Sequence, residues 1–255
     1  MKYAVMSYNL FEGAQESYSQ LVDFINANNV DILCLQEVNG WHDNSFARLK
    51  DFAKKCGLTN YVFGDSNTEF KLATLSKYPL LSSHVYTDGF WHSLIESRIA
   101  IDEAELTVFN VHLNPRWEEP RKEEVKQLLT LVKTNEPTLI VGDFNSLSKQ
   151  DNYTPSLLHE LQVRGITKFG RDELEFSVTT ILETAGFIDV AATFDSKTAT
   201  VPSAFNKDKN HEVPLRLDYI FASPSVAAAA TSVSVIKNAN TDAISDHYPI
   251  LVNIG

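Results

Sequence analysis

The chain has 255 residues, and its 22 Lys and Arg against 33 Asp and Glu give a formal net charge of −11. Hydrophobic residues make up 44% and charged residues 22%, a composition that excludes a disordered chain and predicts a buried core. No basic run stands out, which disfavours tight nonspecific binding of nucleic acid through bulk charge. Any anionic ligand would therefore have to meet a local cationic feature, such as a few arginines or bound metal ions.

The two cysteines, Cys34 and Cys56, are too few for a disulfide framework, and we expect both to be inert. The first residues include no apolar signal segment, and no run of about 18 apolar residues could span a membrane. These features predict a cytoplasmic protein without a transmembrane segment. We expect a monomer that needs no protein partner.

The first quarter of the chain predicts alternating strands and helices. The apolar run 30–35 is typical of a strand covered on both faces, and Gly57 stands where a helix would end. After each of the two predicted strands, the apolar residues recur at helical spacing. The predicted elements are a strand at 3–8, a helix at 17–29, a strand at 30–35 and a helix at 46–56.

The middle of the chain predicts a meander of antiparallel strands, with a hairpin turn at Asp102 and Glu103. Its short strand-like runs are 61–63, 70–76, 80–86, 94–101 and 106–113. An amphipathic helix follows at 118–133. Its predicted apolar face consists of Val125, Leu128, Leu129 and Val132, and its predicted polar face of Glu123, Glu124 and Lys126.

The last part of the chain returns to strands after a segment of helices and loops at 153–186. Strands are predicted at 138–141, 217–222, 232–236 and 250–254, and the alanines at 227–230 predict a close-packed strand entry. No repeat or linker marks a boundary, so residues 1–255 are expected to form one domain. The pattern predicts an α/β fold, a four-layer α/β/β/α sandwich of two packed mixed sheets with helices outside.

Polar residues gather where the predicted strands end. They are Asn9, Gln36 and Glu37, His112, Asp143 and Asn145, and Asp246 and His247. In a packed sandwich the ends of central strands lie together, so these groups could converge on one cleft. Carboxylates without thiolates favour a hard cation such as Mg²⁺ or Mn²⁺, and histidines beside such an ion suit phosphoryl chemistry. Asp218 lies inside an apolar strand and needs a partner, for which His247 is the expected residue.

Six short motifs in this order resemble those of the endonuclease/exonuclease/phosphatase superfamily, and together they span nearly the whole chain. They are Ser7-Tyr8-Asn9-Leu10, Leu35-Gln36-Glu37-Val38, Val111-His112-Leu113, Gly142-Asp143-Phe144-Asn145-Ser146, Arg216-Leu217-Asp218-Tyr219 and Ser245-Asp246-His247-Tyr248-Pro249. Members include deoxyribonuclease I, abasic-site endonucleases, neutral sphingomyelinases, inositol-polyphosphate 5-phosphatases and deadenylases. Each motif alone is weak, but six in order are specific.

The resemblance implies a metal site. Glu37 matches the family's metal-binding glutamate, and Asp246 matches the second aspartate on the metal side. Asn9 matches the asparagine that supports the metal and the phosphate. The expected cofactor is Mg²⁺ or Mn²⁺.

The resemblance also implies catalytic residues. Asp143 matches the aspartate that activates or orients the attacking water, and Asn145 matches the asparagine that positions it. His247 matches the histidine that contacts the scissile phosphate, and Asp218 matches the carboxylate behind it, which would favour the imidazolium. Abasic-site enzymes carry tyrosine at the position of His112, which disfavours a strict abasic-site role.

Three further residues are weaker candidates for substrate binding. Arg98 resembles a phosphate-contacting arginine of some branches, although a surface or ion-paired arginine explains it equally well. Arg116 and Trp117 could line a substrate groove, with Trp117 offering a face to a base or ring. The simpler alternative is a loop aromatic packed on the next helix.

The sequence therefore predicts a divalent-metal-dependent hydrolase of phosphoester bonds, a phosphodiesterase, nuclease or phosphatase. The alternative is a noncatalytic module that kept the fold and binds phosphoesters or nucleic acid. The acidic charge favours a small or lipid-headgroup phosphoester, or a short nucleic-acid end, as the substrate. Five histidines match no motif and are expected to have structural roles only, namely His42, His84, His92, His159 and His211.

Overall fold

The computed structural model describes residues 2–255, and these contain twelve β-strands. Most carry β-branched or aromatic residues at alternating positions, the pattern that suits a pleated, packed surface. In chain order they are β1 (Tyr3–Asn9), β2 (Ile32–Gln36), β3 (Asn60–Gly64), β4 (Leu72–Ser76), β5 (Leu80–Tyr86), β6 (Leu94–Ile101), β7 (Ala104–His112), β8 (Thr138–Asp143), β9 (Ile188–Asp189), β10 (Asp218–Ala222), β11 (Ala230–Val235) and β12 (Ile250–Ile254).

The helices lie mainly between strands, and the α2 helix ends at Gly57, whose φ of 68° is left-handed as predicted for a helix C-terminus. They are α1 (Tyr18–Ala27), α2 (Asp43–Cys56), α3 (Glu118–Leu131), α4 (Ser156–Val163), α5 (Ser177–Thr184), α6 (Val190–Thr193) and α7 (Pro224–Ala228). Three short 3-10 turns complete them, at Lys149–Asp151, Lys209–His211 and Thr241–Ala243. Within residues 2–255, no helix is long and apolar enough to cross a membrane.

The strands form two six-stranded sheets. The first sheet has the order β11-β12-β1-β2-β4-β3, and the second has the order β5-β6-β7-β8-β10-β9. Each combines one parallel pair, β1 with β2 or β7 with β8, with antiparallel neighbours. The predicted single meander is wrong, because β3 and β4 belong to the first sheet while β5, β6 and β7 belong to the second. Alternation fixes which side chains share a face but not which strand lies beside which.

The two sheets pack face to face, and alternation along each strand decides what fills the space between them. In β1, Val5 points between the sheets while Met6 points outward to the helices. Helices α1 and α2 cover the outer face of the first sheet, and α3 and α5 cover that of the second. The predicted four-layer α/β/β/α sandwich is confirmed.

The predicted polar face of α3 is partly wrong. Glu124 is buried, and its carboxylate accepts hydrogen bonds from the backbone N–H groups of Trp91 (2.6 Å) and Asn114 (2.8 Å). Glu118 and Arg121 are buried beside it and form an ion pair at 3.0 Å. These polar groups stay inside because the loops around α3 give them partners. The predicted strand entry at 227–230 is also wrong, because α7 reaches Ala228 and β11 begins at Ala230.

One buried polar contact joins the two sheets. The Gln36 side-chain amide, on β2, donates to Asn110 Oδ1, on β7, at 2.7 Å. In return, Asn110 Nδ2 donates to the backbone carbonyls of Leu35 (3.1 Å) and Ala73 (3.0 Å) in the first sheet. Both amides are fully buried. This Gln36–Asn110 bridge lies one residue before Glu37 and two before His112.

Candidate active site

The same alternation that fills the core also builds a polar cavity at one end of the sandwich. In β8, Leu139 and Val141 lie between the sheets, and Asp143, two residues on, continues that row. In β10, Ile220 and Ala222 lie between the sheets, and Asp218 begins the same row. Other strands end their inner rows in the same way, at Asn9 in β1, Gln36 in β2 and His112 in β7. The predicted convergence of strand ends is thereby explained by the period of two.

Strand register brings three of these residues side by side. His112 pairs with Asp143 across the parallel β7 and β8, and Asp143 pairs with Asp218 across β8 and β10. Gly142 precedes Asp143 with a φ of 144°, and a Cβ there would lie 1.9 Å from the carbonyl oxygen of Val111. Only glycine allows this close approach of strands, so it fixes where the Asp143 carboxylate stands.

Asn9 connects the two sheets at the floor of the cavity. Its Nδ2 group donates to Glu37 Oε1 at 3.3 Å and to Asp143 Oδ2 at 3.1 Å, and its Oδ1 atom accepts from the N–H of Phe11 at 3.1 Å. Glu37 follows β2 in the left-handed region at φ 57° and accepts a hydrogen bond from the N–H of Glu12 at 3.2 Å. Burial, together with the charge of Asp246, raises the pKa of Glu37 from 4.5 to about 7.

His247 forms the predicted contact with Asp218. Its Nδ1 atom lies 2.8 Å from Asp218 Oδ2, and its Nε2 atom faces Asp143 Oδ2 at 3.8 Å. Burial alone would lower the pKa of His247, but the Asp218 carboxylate and its hydrogen bond outweigh it and raise the pKa to about 10. His247 is therefore an imidazolium near neutral pH. Ser245 fixes the loop by donating to the carbonyl of Asn9 at 2.7 Å.

His112 is in the opposite state. Its Nε2 atom lies 3.5 Å from Asp143 Oδ2, but its ring is stacked on His92, with centroids 4.2 Å apart and planes 22° apart. Burial, and then the charge of His247, lowers the pKa of His112 to about 3. Burial also lowers the pKa of His92 to about 2. Thr68 meets His92 Nδ1 at 2.6 Å, so the stacked pair is neutral and held in place.

Several residues that the sequence did not place at the site also line the cavity, among them Lys168 and His211. The Lys168 ammonium donates to Asn145 Oδ1 at 3.0 Å and lies 3.1 Å from His211 Nε2. The His211 ring packs edge-on against His247, with centroids 5.0 Å apart, and its Nδ1 atom faces Asp246 Oδ2 at 3.8 Å. His92 and His211, expected to be structural, thus both reach the cavity, which has a volume of about 190 Å³.

The carboxylates suit a divalent cation on the side of the cavity nearest the first sheet. Glu37 and Asp246 line the same wall, and burial raises the pKa of both. Two buried carboxylates, of which Asp246 helps to raise the pKa of Glu37, match the oxygen donor set of a hard cation. The tightest His and carboxylate groups are different, namely His211, Asp246 and His247, and Asp143, Asp218 and His247. Both groups include His247. Its protonated ring donates a hydrogen bond to Asp218 and has no lone pair for a metal, so neither group is a suitable metal site.

The structure does not bring all of the weaker candidates to the cavity. Arg98 lies on β6 and is ion-paired with Glu105 at 2.5 Å, the alternative considered above, and it does not line the cavity. Arg116 does not line the cavity either, although its neighbour Pro115 does, and its guanidinium lies 4.7 Å from the centre of the Trp91 ring. Trp117 is 47% exposed on a neighbouring groove, which Lys168 also lines.

The strand ends of this four-layer sandwich bring one imidazolium and several carboxylates together at one cavity. Residues 6–247 match the model of the Endonuclease/Exonuclease/phosphatase family, and the chain belongs to that family. Membership supports a metal-dependent phosphoester hydrolase in general terms. No curated protein sequence matches the chain.

Solved structures show the same fold. An AP endonuclease from Archaeoglobus fulgidus is 19% identical, with 98% of each chain covered and a TM-score of 0.73. A 3′ phosphatase from Neisseria, bound to a product DNA hairpin, is 17% identical, with 99% of each chain covered and a TM-score of 0.72. A family protein from Leptotrichia buccalis is 15% identical, with 99% of each chain covered and a TM-score of 0.70. At these identities the likeness concerns the fold alone.

Proposed function

We propose that the protein hydrolyses phosphoester bonds with the help of a divalent metal ion, through in-line attack of water on phosphorus. The observation that carries this proposal is the buried His247–Asp218 pair, 2.8 Å apart, beside the Asp143 carboxylate in one small cavity. An imidazolium that cannot lose its charge near neutral pH is suited to hold an anion. A carboxylate next to it is suited to direct a water molecule.

The roles follow from the hydrogen bonds. Asp143 Oδ1 accepts the N–H of Asn145 at 2.8 Å and Oδ2 accepts from Asn9, so the carboxylate is fixed in orientation. In this proposal Asp143 accepts a proton from the attacking water, and Asn145 helps to position that water. His247 Nε2 binds a phosphate oxygen, while Asp218 maintains the imidazolium. His112 is neutral and can donate or accept a hydrogen bond without adding charge.

Glu37 and Asp246 would hold the metal ion, Mg²⁺ or Mn²⁺, with support from Asn9. When bound, such an ion supplies positive charge against the phosphate and polarises its oxygens. The Asn9 hydrogen bonds keep the Glu37 carboxylate and the Asp143 carboxylate apart from each other but within one cavity. This separation gives the metal side and the water side different residues.

The net negative charge of the chain narrows the class of substrate. A formal charge of −11 disfavours a long polyanion, and the cavity has a volume of only about 190 Å³. We infer that the substrate is a small or lipid-headgroup phosphoester, or the end of a nucleic-acid strand. In this proposal Trp117, on the neighbouring groove that Lys168 also lines, and Arg116 beside it contact the group beyond the phosphate. The same proposal takes residues 1–255 as one catalytic domain.

The activity is tested with purified protein and Mg²⁺ or Mn²⁺ on a panel of phosphoesters. The panel contains single- and double-stranded DNA, RNA, 3′-phosphorylated DNA, inositol phosphates, sphingomyelin and bis(p-nitrophenyl) phosphate. We expect product from at least one substrate, loss of the activity in EDTA and its return with metal. Release of no product from any substrate would refute the proposal.

Two substitutions test the assigned roles. Asp143→Asn and His247→Ala are each expected to lower the turnover number by at least about 1,000-fold, because one removes the proton acceptor and the other the cation. The matched controls are Asp88→Asn and His159→Ala, at exposed positions, which should keep the wild-type rate. Circular dichroism checks that all four variants are folded, and wild-type rates in the two site variants would contradict the roles.

A further inference from the structure

Lys168 is a buried cation in the catalytic cavity that none of the six motifs includes. It lies between α4 and α5 and is only 9% exposed. Its ammonium group donates to the side-chain oxygen of Asn145 at 3.0 Å and lies 3.1 Å from His211 Nε2. Both contacts are with neutral groups, since burial lowers the pKa of His211 well below 6.5.

The ammonium group has no close anionic partner. Among residues 2–255, no carboxylate oxygen lies within 4.0 Å of Lys168 Nζ, although Asp143, Asp208 and Asp246 are near enough to favour its charge. A buried charge without a paired counter-charge is costly unless a ligand supplies that counter-charge. Burial lowers the pKa of Lys168 from 10.5 to about 8, so the side chain is still mostly charged at neutral pH.

A residue of α3 holds the backbone of Lys168 in place. The buried Arg121 guanidinium donates to the backbone carbonyl of Lys168 at 2.6 Å and to that of Asn114 at 3.1 Å. Glu118 pairs with Arg121 and also accepts from Ser146 Oγ at 3.1 Å, directly after the Asp143–Asn145 turn. One ion pair therefore holds both Lys168 and the proposed catalytic turn in fixed positions.

The hydrogen-bond count leaves one donor for a ligand. An ammonium group carries three hydrogens, and Asn145 and His211 accept two of them. Acceptance by His211 Nε2 places the ring proton of this neutral histidine on Nδ1, which faces Asp208 Oδ2 at 3.6 Å and Asp246 Oδ2 at 3.8 Å. The third hydrogen of Lys168 is free to meet an acceptor in the cavity that it lines.

We propose that Lys168 binds a phosphate oxygen of the substrate directly and that the missing anionic partner is the phosphate itself. This inference rests on the proposed phosphoester hydrolysis. It gives a function to the segment 149–186, for which the motifs give none. It also supplies the local cation that a chain of net charge −11 needs in order to accept an anion.

Binding of inorganic phosphate tests the proposal without any need for turnover. Phosphate is titrated into the Mn²⁺-loaded full-length protein by isothermal calorimetry. Lys168→Met, which keeps the length of the side chain and removes the charge, is expected to weaken phosphate binding by at least about tenfold. The matched control is Lys149→Met, in the same segment but exposed, which should bind phosphate like the wild type.

A purely structural role for Lys168 gives a different result. If the lysine only positions Asn145, Lys168→Met lowers the turnover number while the phosphate affinity and the KM stay within about twofold of wild type, and this result overturns the proposal. Should Lys168→Met fail to fold, Lys168→Gln takes its place, because the slightly shorter glutamine removes the charge but keeps N–H donors. The same tenfold loss is expected and the same twofold limit applies.

Failure of this inference is distinguishable from failure of the proposed function. If the wild type hydrolyses a substrate but Lys168→Met keeps its phosphate affinity, only the role of Lys168 is refuted. If the wild type binds phosphate through Lys168 but hydrolyses nothing in the panel, the hydrolase proposal is refuted and phosphate binding by Lys168 is supported.

Discussion

His247 and His112 stand on opposite sides of the Asp143 carboxylate. Both are buried, yet His247 is charged and His112 is neutral. His247 has Asp218 directly behind its ring at 2.8 Å, and its pKa rises to about 10. His112 has another imidazole, His92, stacked on its ring, and its pKa falls to about 3. Burial acts in the same direction on both. The Asp218 carboxylate behind His247 therefore makes the difference, because burial without such a partner leaves His112 neutral, and the cavity has one charged and one neutral histidine.

The largest expected effect comes from making the two histidines alike. Asp218→Asn removes the carboxylate that raises the pKa of His247, while burial remains and lowers it. We expect the His247 ring to be neutral at pH 7 and the rate of hydrolysis to fall by about 1,000-fold. Histidine ¹⁵N NMR measures the pKa, and steady-state assays measure the rate.

Asp88→Asn is the control for this variant because Asp88 is exposed and far along the chain from the motifs. A His247 pKa that stays near 10 in Asp218→Asn would contradict the explanation by a carboxylate behind the ring.

A smaller effect is expected from Glu37, which lies 3.9 Å from His112 on the proposed metal side. Its folded-state pKa of about 7 lies above the ordinary value of 4.5, so the metal-free folded protein loses stability as the pH rises through this interval. Glu37→Gln removes the titration. In EDTA, the stability of Glu37→Gln relative to wild type should therefore increase by up to about 3 kcal/mol between pH 4.5 and pH 8.

Urea unfolding at several pH values measures this difference, and Glu16→Gln at an exposed position is the control. With Mn²⁺ present the order should reverse, because the metal is expected to bind the wild-type carboxylate more tightly. If the difference in the free energy of unfolding between Glu37→Gln and wild type in EDTA does not vary with pH, the pKa of Glu37 is not raised in the folded protein.

The smallest effect concerns the neutral pair. In the folded protein the pKa of His92 falls from 6.5 to about 2. Below pH 6.5 this histidine therefore binds a proton in the unfolded protein but not in the folded protein, so the free energy of unfolding decreases as the pH falls. His92→Phe keeps a ring on His112 and removes this titration. Between pH 7 and pH 5 the variant should lose about 2 kcal/mol less stability than the wild type. Thermal or urea unfolding tests this, with His159→Phe as control, and equal losses would mean that His92 is protonated in the folded protein.

Much of the site was predictable because it follows from strand periodicity. Asn9, His112, Asp143 and Asp218 each continue a row of inward-facing core residues, so their convergence required only that the strands share one end of the sandwich. The layers were predictable for the same reason.

The rest depended on contacts that no local pattern encodes. Lys168 comes from a loop whose place in the cavity depends on how residues 149–186 fold back over α3, and His211 comes from the separate 3-10 turn Lys209–His211. The division of the predicted meander between two sheets also depends on long-range pairing. One signal was available in α3, where Glu118 and Arg121 share a helical face with Val125 and Leu128, so polar residues on an apolar face indicated buried partners.

The Gln36–Asn110 bridge has a consequence for the width of the cavity. Contact between two apolar sheet faces is non-directional, so it specifies their relative position less sharply than a buried hydrogen bond does. Two buried amides at 2.7 Å satisfy each other in only one such position. Because Gln36 adjoins Glu37 and Asn110 lies near His112, this contact, together with the Asn9–Asp143 hydrogen bond, sets the gap between the wall from the first sheet and the wall from the second. A substitution there would act as a change of spacing, far more than as a loss of one hydrogen bond.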